Sequence, residues 1–263
     1  LGRAGLVRES YMQKLNEIVN FLDTYLDTKN VKDGSWNGLQ VEGKSEIKKI
    51  MFAVDASMDT FKKAVELNAD MIVVHHGHFW VPANPSITGY NKERIEFLLK
   101  HNVSLYASHL PLDKHPESGN NAQLLKVLGF EKDKAFGFYY GETISFIGKS
   151  EKPRTIQEIE SILKKELHAT CKILPFGKKE IRSIAVCSGG GDFATFTEAL
   201  NSGVDLYLTG DSTEVYFLAK DAQFNVIFAG HHATEIVGVK ALSQLIGSKF
   251  DIETEFVDLP TGL

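Results

Sequence analysis

Short apolar runs rich in Val, Ile and Phe alternate with helical stripes through almost the whole chain, and this alternation limits the fold more than any other feature. Ile47 to Val54, Met71 to Val74 and Val103 to Ala107 read as strands. Asp59 to Leu67, Lys92 to Lys100 and Asn121 to Leu128 read as the helices between and after them. Strand, helix, strand at this spacing implies crossover connections and a largely parallel sheet. A helical stripe of Leu15, Ile18, Val19, Leu22 and Leu26, spanning Met12 to Leu26, precedes the first strand.

The second half repeats the theme with a different opening. Phe138 to Ile147 reads as a strand or a hairpin partner, with Gly141 as a bend, and Thr155 to Leu167 as a helix in which Thr155 and Glu158 form a capping box. Strands follow at Ala169 to Leu174, Ile181 to Cys187, Leu206 to Leu208, Val226 to Phe228 and Ile252 to Val257. Helices fall at Phe193 to Leu200, Val215 to Lys220 and Thr234 to Leu245. Ile47, Ile50, Phe61, Ala64 and Asp70 recur as Ile181, Ile184, Phe196, Ala199 and Asp205, at an offset of about 134 residues with a one-residue slip. Either the chain is internally duplicated, or two α/β units merely share apolar positions. The expected fold is α/β, with two similar domains whose sheets are largely parallel or mixed and carry helices on their faces. Residues 12–128 with 226–263 are expected to form the metal-site domain, completed by the C-terminal segment, and 129–225 the second. Residues 1–11 read as a cloning remnant.

With 263 residues and 43% hydrophobic content the chain can bury a substantial core. A net charge of -5 speaks against a dedicated nucleic-acid binder. Lys164-Lys165 and Lys178-Lys179 read as a solvated helix face and a charged turn, or as part of a local basic patch. Cys171 and Cys187 have neither disulfide-framework nor CxxC spacing and read as buried strand thiols. No run of about 18 apolar residues suggests a membrane span, and a cytoplasmic protein is expected.

Three segments carry the chemistry, each directly after an expected strand, where open α/β sheets place their ligands. The first is His75-His76-Gly77-His78; adjacent strand residues face opposite ways, so both rings reach one site only where the chain turns, which Gly77 permits. The second is Ser108-His109-Leu110-Pro111-Leu112-Asp113, expected to be a loop because Pro111 cannot continue a central strand. Asp113 offers a hard oxygen, while His109 is open to three roles: ligand, supporting donor or proton shuttle. The third is His231-His232-Ala233-Thr234-Glu235, in which His231 and Glu235 share a helix face and His232 points elsewhere. Three imidazoles and two carboxylates without thiolates exceed one closed zinc site. They suit two divalent ions about 3.5–4 Å apart, and zinc, iron, manganese, cobalt and nickel are all compatible with such donors. Because only the first copy of the repeat carries imidazoles, the site is expected in the first half with the second as scaffold. Ser188-Gly189-Gly190-Gly191-Asp192 reads as an anion cradle or as a tight turn.

Trp36-Asn37-Gly38-Leu39-Gln40-Val41, Val74-His75-His76-Gly77, Ser108 to Asp113 and Gly230-His231-His232-x-x-Glu235 occur in this order. Together they resemble the motifs of the GTP cyclohydrolase I type 2 homologue, or NIF-three-like, family over about Met12 to Leu259. The resemblance implies a dinuclear metal site on His75, His76, Asp113, His231 and Glu235, two similar α/β domains and a ring-shaped homohexamer, a trimer of dimers. Many members carry a histidine shortly after the Thr-Gly-Asp segment. Here Thr209-Gly210-Asp211 is followed by Ser-Thr-Glu-Val-Tyr, which puts any role of that histidine in lining the ring in doubt. Two functions are expected of such a chain. One is a metal-dependent hydrolase acting on a nucleotide-like substrate, with His109 as proton shuttle. The other is a non-catalytic ring-shaped metal-binding scaffold for single-stranded nucleic acid or a regulatory protein.

Overall fold

The structure, a computed structural model, describes residues 12–81 and 85–263. The reading of residues 1–11 lies outside them. The first half contains β1 (Gln13–Lys14), α1 (Leu15–Tyr25), β2 (Gly38–Val41), β3 (Glu46–Ile47), β4 (Lys49–Asp55), α2 (Met58–Glu66), β5 (Met71–His76), α3 (Gly89–His101), β6 (Ser104–Ala107), α4 (Leu110–Asp113) and α5 (Asn120–Leu128). The second contains β7 (Glu131–Tyr139), β8 (Glu142–Arg154), α6 (Ile156–Leu167), β9 (Lys172–Pro175), β10 (Ile181–Cys187), α7 (Phe193–Asn201), β11 (Leu206–Thr209), α8 (Tyr216–Asp221), β12 (Asn225–Phe228), α9 (His231–Phe250) and β13 (Glu253–Phe256).

These elements make a mixed α/β protein with two mixed sheets. One has the order β13-β4-β5-β6-β2, parallel except at β2. The other has the order β7-β8-β10-β11-β12-β9, with β10, β11 and β12 parallel at its centre and antiparallel neighbours on either side. Strand alternation sorts the apolar side chains into layers. Ile50, Phe52 and Val54 of β4 join Ile184 and Val186 of β10 in one core that also takes in Leu242 and Ile246 of α9. The intervening Met51 and Ala53 pack with Phe61 and Ala64 of α2 on the opposite face. Ala185 and Cys187 do the same with Phe196 and Ala199 of α7. Burial pushes the Cys187 thiol up to about 12, so it stays protonated and inert.

A matching clamp closes the amino end of each central strand pair. Asp70 accepts the backbone N–H of Lys48 (2.8 Å) and pairs with Lys44 (2.5 Å). Asp205 accepts the N–H groups of Arg182 and Ser183 (both 3.0 Å) and pairs with Lys178 (2.7 Å). Lys44 and Lys178 are 134 residues apart, as are Lys48 and Arg182, whereas Asp70 and Asp205 are 135 apart. The clamps therefore follow the offset and the slip seen in the sequence.

Four local expectations change. The stripe from Met12 becomes helical only at Leu15, because Gln13 and Lys14 pair with Ile47 and Glu46. Phe138 to Ile147 takes the hairpin reading in place of a single strand: β7 and β8 are turned by Tyr140 (φ 52°) and Gly141 (φ 84°), and β7 starts earlier, at Glu131. Pro111 lies in the first turn of the short helix α4, where its missing N–H costs nothing, so the expected loop is helical. Helix α9 begins at His231, three residues earlier than expected, after Gly230 at φ 91°. The division expected at 225/226 falls inside β12, whose partners are β11 and β9. The capping box of α6 is present, with Thr155 N–H donating to Glu158 Oε2 at 2.7 Å.

Replacing Asp70 or Asp205 by alanine leaves backbone donors without their acceptor, so each variant is expected to lose about 1–3 kcal/mol of stability. Urea unfolding measures this, and unchanged midpoints would show that the clamps hold nothing.

Candidate metal centre

The carboxyl ends of the parallel strands in both sheets converge on one small volume. His75 and His76 close β5, His109 and Asp113 follow β6, and His231 and Glu235 occupy the first turns of the helix after β12. All six residues expected from the sequence come together. His75 Nε2 lies 3.3 Å from Glu235 Oε1 and 3.5 Å from Asp113 Oδ2. Glu235 Oε1 is 3.2 Å from His231 Nε2, and Oε2 is 3.4 Å from His76 Nε2. Three overlapping groups arise, each with donor atoms within 4.8 Å of one another: His75, His76 and His109; His76, His231 and Glu235; His75, Asp113 and Glu235. The expectation of a site in the first half alone needs correction. His231 and Glu235 follow a strand of the second sheet, so both sheets supply donors.

Each ring is oriented by its other nitrogen. His75 Nδ1 donates to the carbonyl of Ser108 (2.9 Å), which can only accept, so the proton sits on Nδ1 and the Nε2 lone pair faces the cluster. His76 Nδ1 donates to Asp55 (2.8 Å), His109 Nδ1 to Asp33 (2.8 Å) and His231 Nδ1 to Asp211 (2.9 Å). Asp113 Oδ1 accepts from Asn120 Nδ2 and Ser188 Oγ (both 2.9 Å), which leaves Oδ2 for the site. Such outer partners fix the tautomer and aim of metal ligands. His232 does point elsewhere, to Asp258.

The glycine turn is part of this support. Gly189 stands at φ 62°, and a Cβ there would run into Glu235 Oε1 and crowd His231 Nε2, so only glycine lets the carboxylate in. The tight-turn reading fits better than the anion cradle. The N–H groups of Ser188, Gly189 and Gly191 are already donated to Asn121, Thr234 and Thr209.

The charges suit cations. Burial alone would raise the Glu235 carboxyl, but His76, His75 and His231 hold it well below its ordinary range. Burial would lower His231, yet Glu235 and Asp211 raise it to about 9. His75 is raised against its burial by Asp113 and Glu235, and His76 by Glu235 and Asp55. His75 Nε2 and Glu235 Oε2 are nonetheless buried without a hydrogen-bond partner, a costly arrangement for polar atoms. The 3.2–3.5 Å gaps exceed good charge-assisted hydrogen bonds. They match the span between two donors that each sit about 2.0–2.1 Å from a shared tetrahedral ion, roughly 3.4 Å. The donor set fits metal.

Asp33, Asp55, Asp211, Ser188 and Asn120 are the functional residues that the sequence reading misses. None of them carries a usable sequence signal, since each is a single polar residue whose partner lies elsewhere in the fold; the structure sets Asp55 level with His76.

The Duf34/NIF3 (NGG1p interacting factor 3) family profile matches residues 13–261. A protein of Archaeoglobus fulgidus described as a GTP cyclohydrolase 1 type 2 homolog is 47% identical over 250 residues, covering 95% of this chain and 99% of its own. The crystal structure of TTHA1606 from Thermus thermophilus superposes with a TM-score of 0.84 at 34% identity, covering 95% of this chain and 100% of that one. A structural-genomics structure of protein ybgI, described as of unknown function, gives 0.86 at 35% identity with the same coverage.

Because His231 in the metal-free protein holds its proton until about pH 9, a cation entering at neutral pH must displace that proton. Metal affinity is therefore expected to climb with pH and level off near 9, with proton release fading over the same range. Calorimetry in buffers of different ionisation enthalpy measures both. Uptake without proton release at pH 7 would contradict the assignment of His231.

Proposed function

The chain belongs to the Duf34/NIF3 family, and on that premise we propose that it binds two divalent metal ions and acts as a metal-dependent hydrolase on a nucleotide-like substrate. The observation that carries this reading is the pair of buried, unpartnered atoms, His75 Nε2 and Glu235 Oε2, at the centre of three imidazoles and two carboxylates. His75, Asp113 and Glu235 would hold one ion, and His76, His231 and Glu235 the other, with Glu235 shared. The metal is one of zinc, iron, manganese, cobalt or nickel. When bound, such a pair supplies Lewis acidity and a water of lowered pKa.

The protein's own groups do the rest. Asp55, Asp211 and the Ser108 carbonyl hold the three imidazoles so that each Nε2 lone pair faces inward. Asn120 and Ser188 fix the Asp113 carboxylate. His109 is anchored twice, by Nδ1 on Asp33 and by its backbone N–H on Asn37 Oδ1 (2.7 Å), which leaves Nε2 free to accept and return a proton. The Trp80 ring packs edge-on against the His109 ring, with centroids 4.9 Å apart. The relatives' description as GTP cyclohydrolase 1 type 2 homologs supports GTP as the first substrate to test.

The scaffold reading is weaker, because Lys164, Lys165 and Lys178 each pair with a carboxylate (Glu160, Glu166 and Asp205) and offer phosphates little free charge. We also propose a ring-shaped homohexamer, a trimer of dimers, as the motif resemblance implies. The matching clamps at Asp70 and Asp205 support two sheets descended from one duplicated unit. Among the described residues no helix is long and apolar enough to cross a membrane, and two unbridged cysteines suit a cytoplasmic setting.

Protein purified without chelator is expected to sediment as a hexamer and to carry about two equivalents of transition metal per chain. Glu235→Ala is expected to lose most of both. The loaded protein should release formate from GTP or hydrolyse a member of a nucleotide and phosphoester panel. Two equivalents of metal with no turnover across the panel would sink the hydrolase and leave the scaffold, which a steep salt dependence of single-stranded DNA binding would then mark. Absence of metal would sink both readings.

A further inference from the structure

His231 and His232 are neighbours, yet only His231 faces the metal centre. His232 is 6% exposed and sits between two carboxylates at the carboxyl ends of adjacent parallel strands: Asp55, which ends β4, and Asp258, just past β13. Its Nε2 is 2.8 Å from Asp258 Oδ1. Its Nδ1 is 3.5 Å from Asp55 Oδ2 and has no closer partner, so this buried polar atom is directed at Asp55 alone. Asp55 in turn uses its other oxygen, Oδ1, to hold His76 Nδ1 at 2.8 Å. The result is an alternating row, Asp258, His232, Asp55, His76, Glu235, running from the C-terminal segment to the centre of the donor cluster.

The two ends of Asp55 are not equivalent. Its side chain is 36% exposed, so water competes for it. A carboxylate held at one oxygen swings about that contact, and one held at both does not. The His76 ring takes its orientation from Asp55. A ring free to turn by a few tens of degrees moves Nε2 out of line with Glu235 and His231.

From this geometry we propose that His232 is a positioning residue for the metal centre, acting through Asp55 to lock the His76 ring, with Asp258 anchoring His232 from behind. The inference rests on the metal-binding reading above. It assigns a task to a histidine that touches no ion itself, and it ties the C-terminal segment to the half of the site formed by His76, His231 and Glu235.

Amide side chains separate this role from simple packing. The amide nitrogen of Asn takes the place of imidazole Nδ1, and that of Gln the place of Nε2. His232→Asn therefore keeps the contact to Asp55, and His232→Gln keeps only the contact to Asp258. Metal affinity is measured on the full chain by competition of Co²⁺ or Zn²⁺ against a chromophoric chelator, alongside thermal unfolding of each metal-free variant. His232→Ala and His232→Gln are expected to bind about 10–100-fold more weakly than the unaltered protein. His232→Asn is expected to stay within about threefold, even where its metal-free melting temperature falls as far as that of the Gln variant. Wild-type affinity in His232→Ala would overturn the proposal, as would losses in the Asn and Gln variants that simply track their stability. Those results leave the metal reading intact. An unaltered protein that takes up neither metal would overturn both.

Discussion

The Glu235 carboxylate, 2% exposed and set among the rings of His75, His76 and His231, is the contact on which the rest of the structure turns. A buried carboxylate is costly unless positive charge surrounds it. Here that charge can come only from protons on the rings or from cations between them, and the 3.2–3.4 Å separations leave space for the latter. Several otherwise unrelated features follow from it. Gly189 must lack a side chain so that Glu235 can approach. Thr234 takes up the Gly189 N–H and so pins the turn to the same helix. The first turn of α9 must lie where the second sheet ends, because it carries both His231 and Glu235.

The two sheets reach this point by the same route. In each, an Asp clamp fixes the amino end of the central strands and polar residues fill the carboxyl end. The first sheet supplies His75, His76 and, past β6, Asp113. The second supplies, past β12, His231 and Glu235, with Asp211 and Ser188 as supports. Where the first sheet places His76 after its second parallel strand, the second places Asp211, which steadies His231 in place of facing the centre itself. The division of labour is between donors and their supports, and it cuts across both sheets.

Much of this was legible in the residues. The donors stand out because histidines and carboxylates right after apolar runs fall where parallel sheets end, and the period-2 and 3.6 patterns locate those ends. Their supports were not legible, because Asp33, Asp55 and Asn120 are single polar residues whose partners are decided by tertiary packing. Asp211 stands in the Thr209-Gly210-Asp211 segment after a strand, but its hold on His231 depends on packing that the segment does not reveal. Proline is equally at home after a strand and in a helix's first turn, so the Pro111 segment does not reveal its helix in sequence. The bend at Gly141 is legible, but the extension of β7 back to Glu131 is not, because Glu131 to Lys134 are all charged.

X-ray absorption at the metal K edge of the loaded protein examines the shared two-ion centre most directly. A first shell of nitrogen and oxygen alone at about 2.0–2.2 Å is expected, together with a metal–metal signal at about 3.5–4 Å. A shell containing sulfur, or a fully occupied site with no metal neighbour, would contradict it.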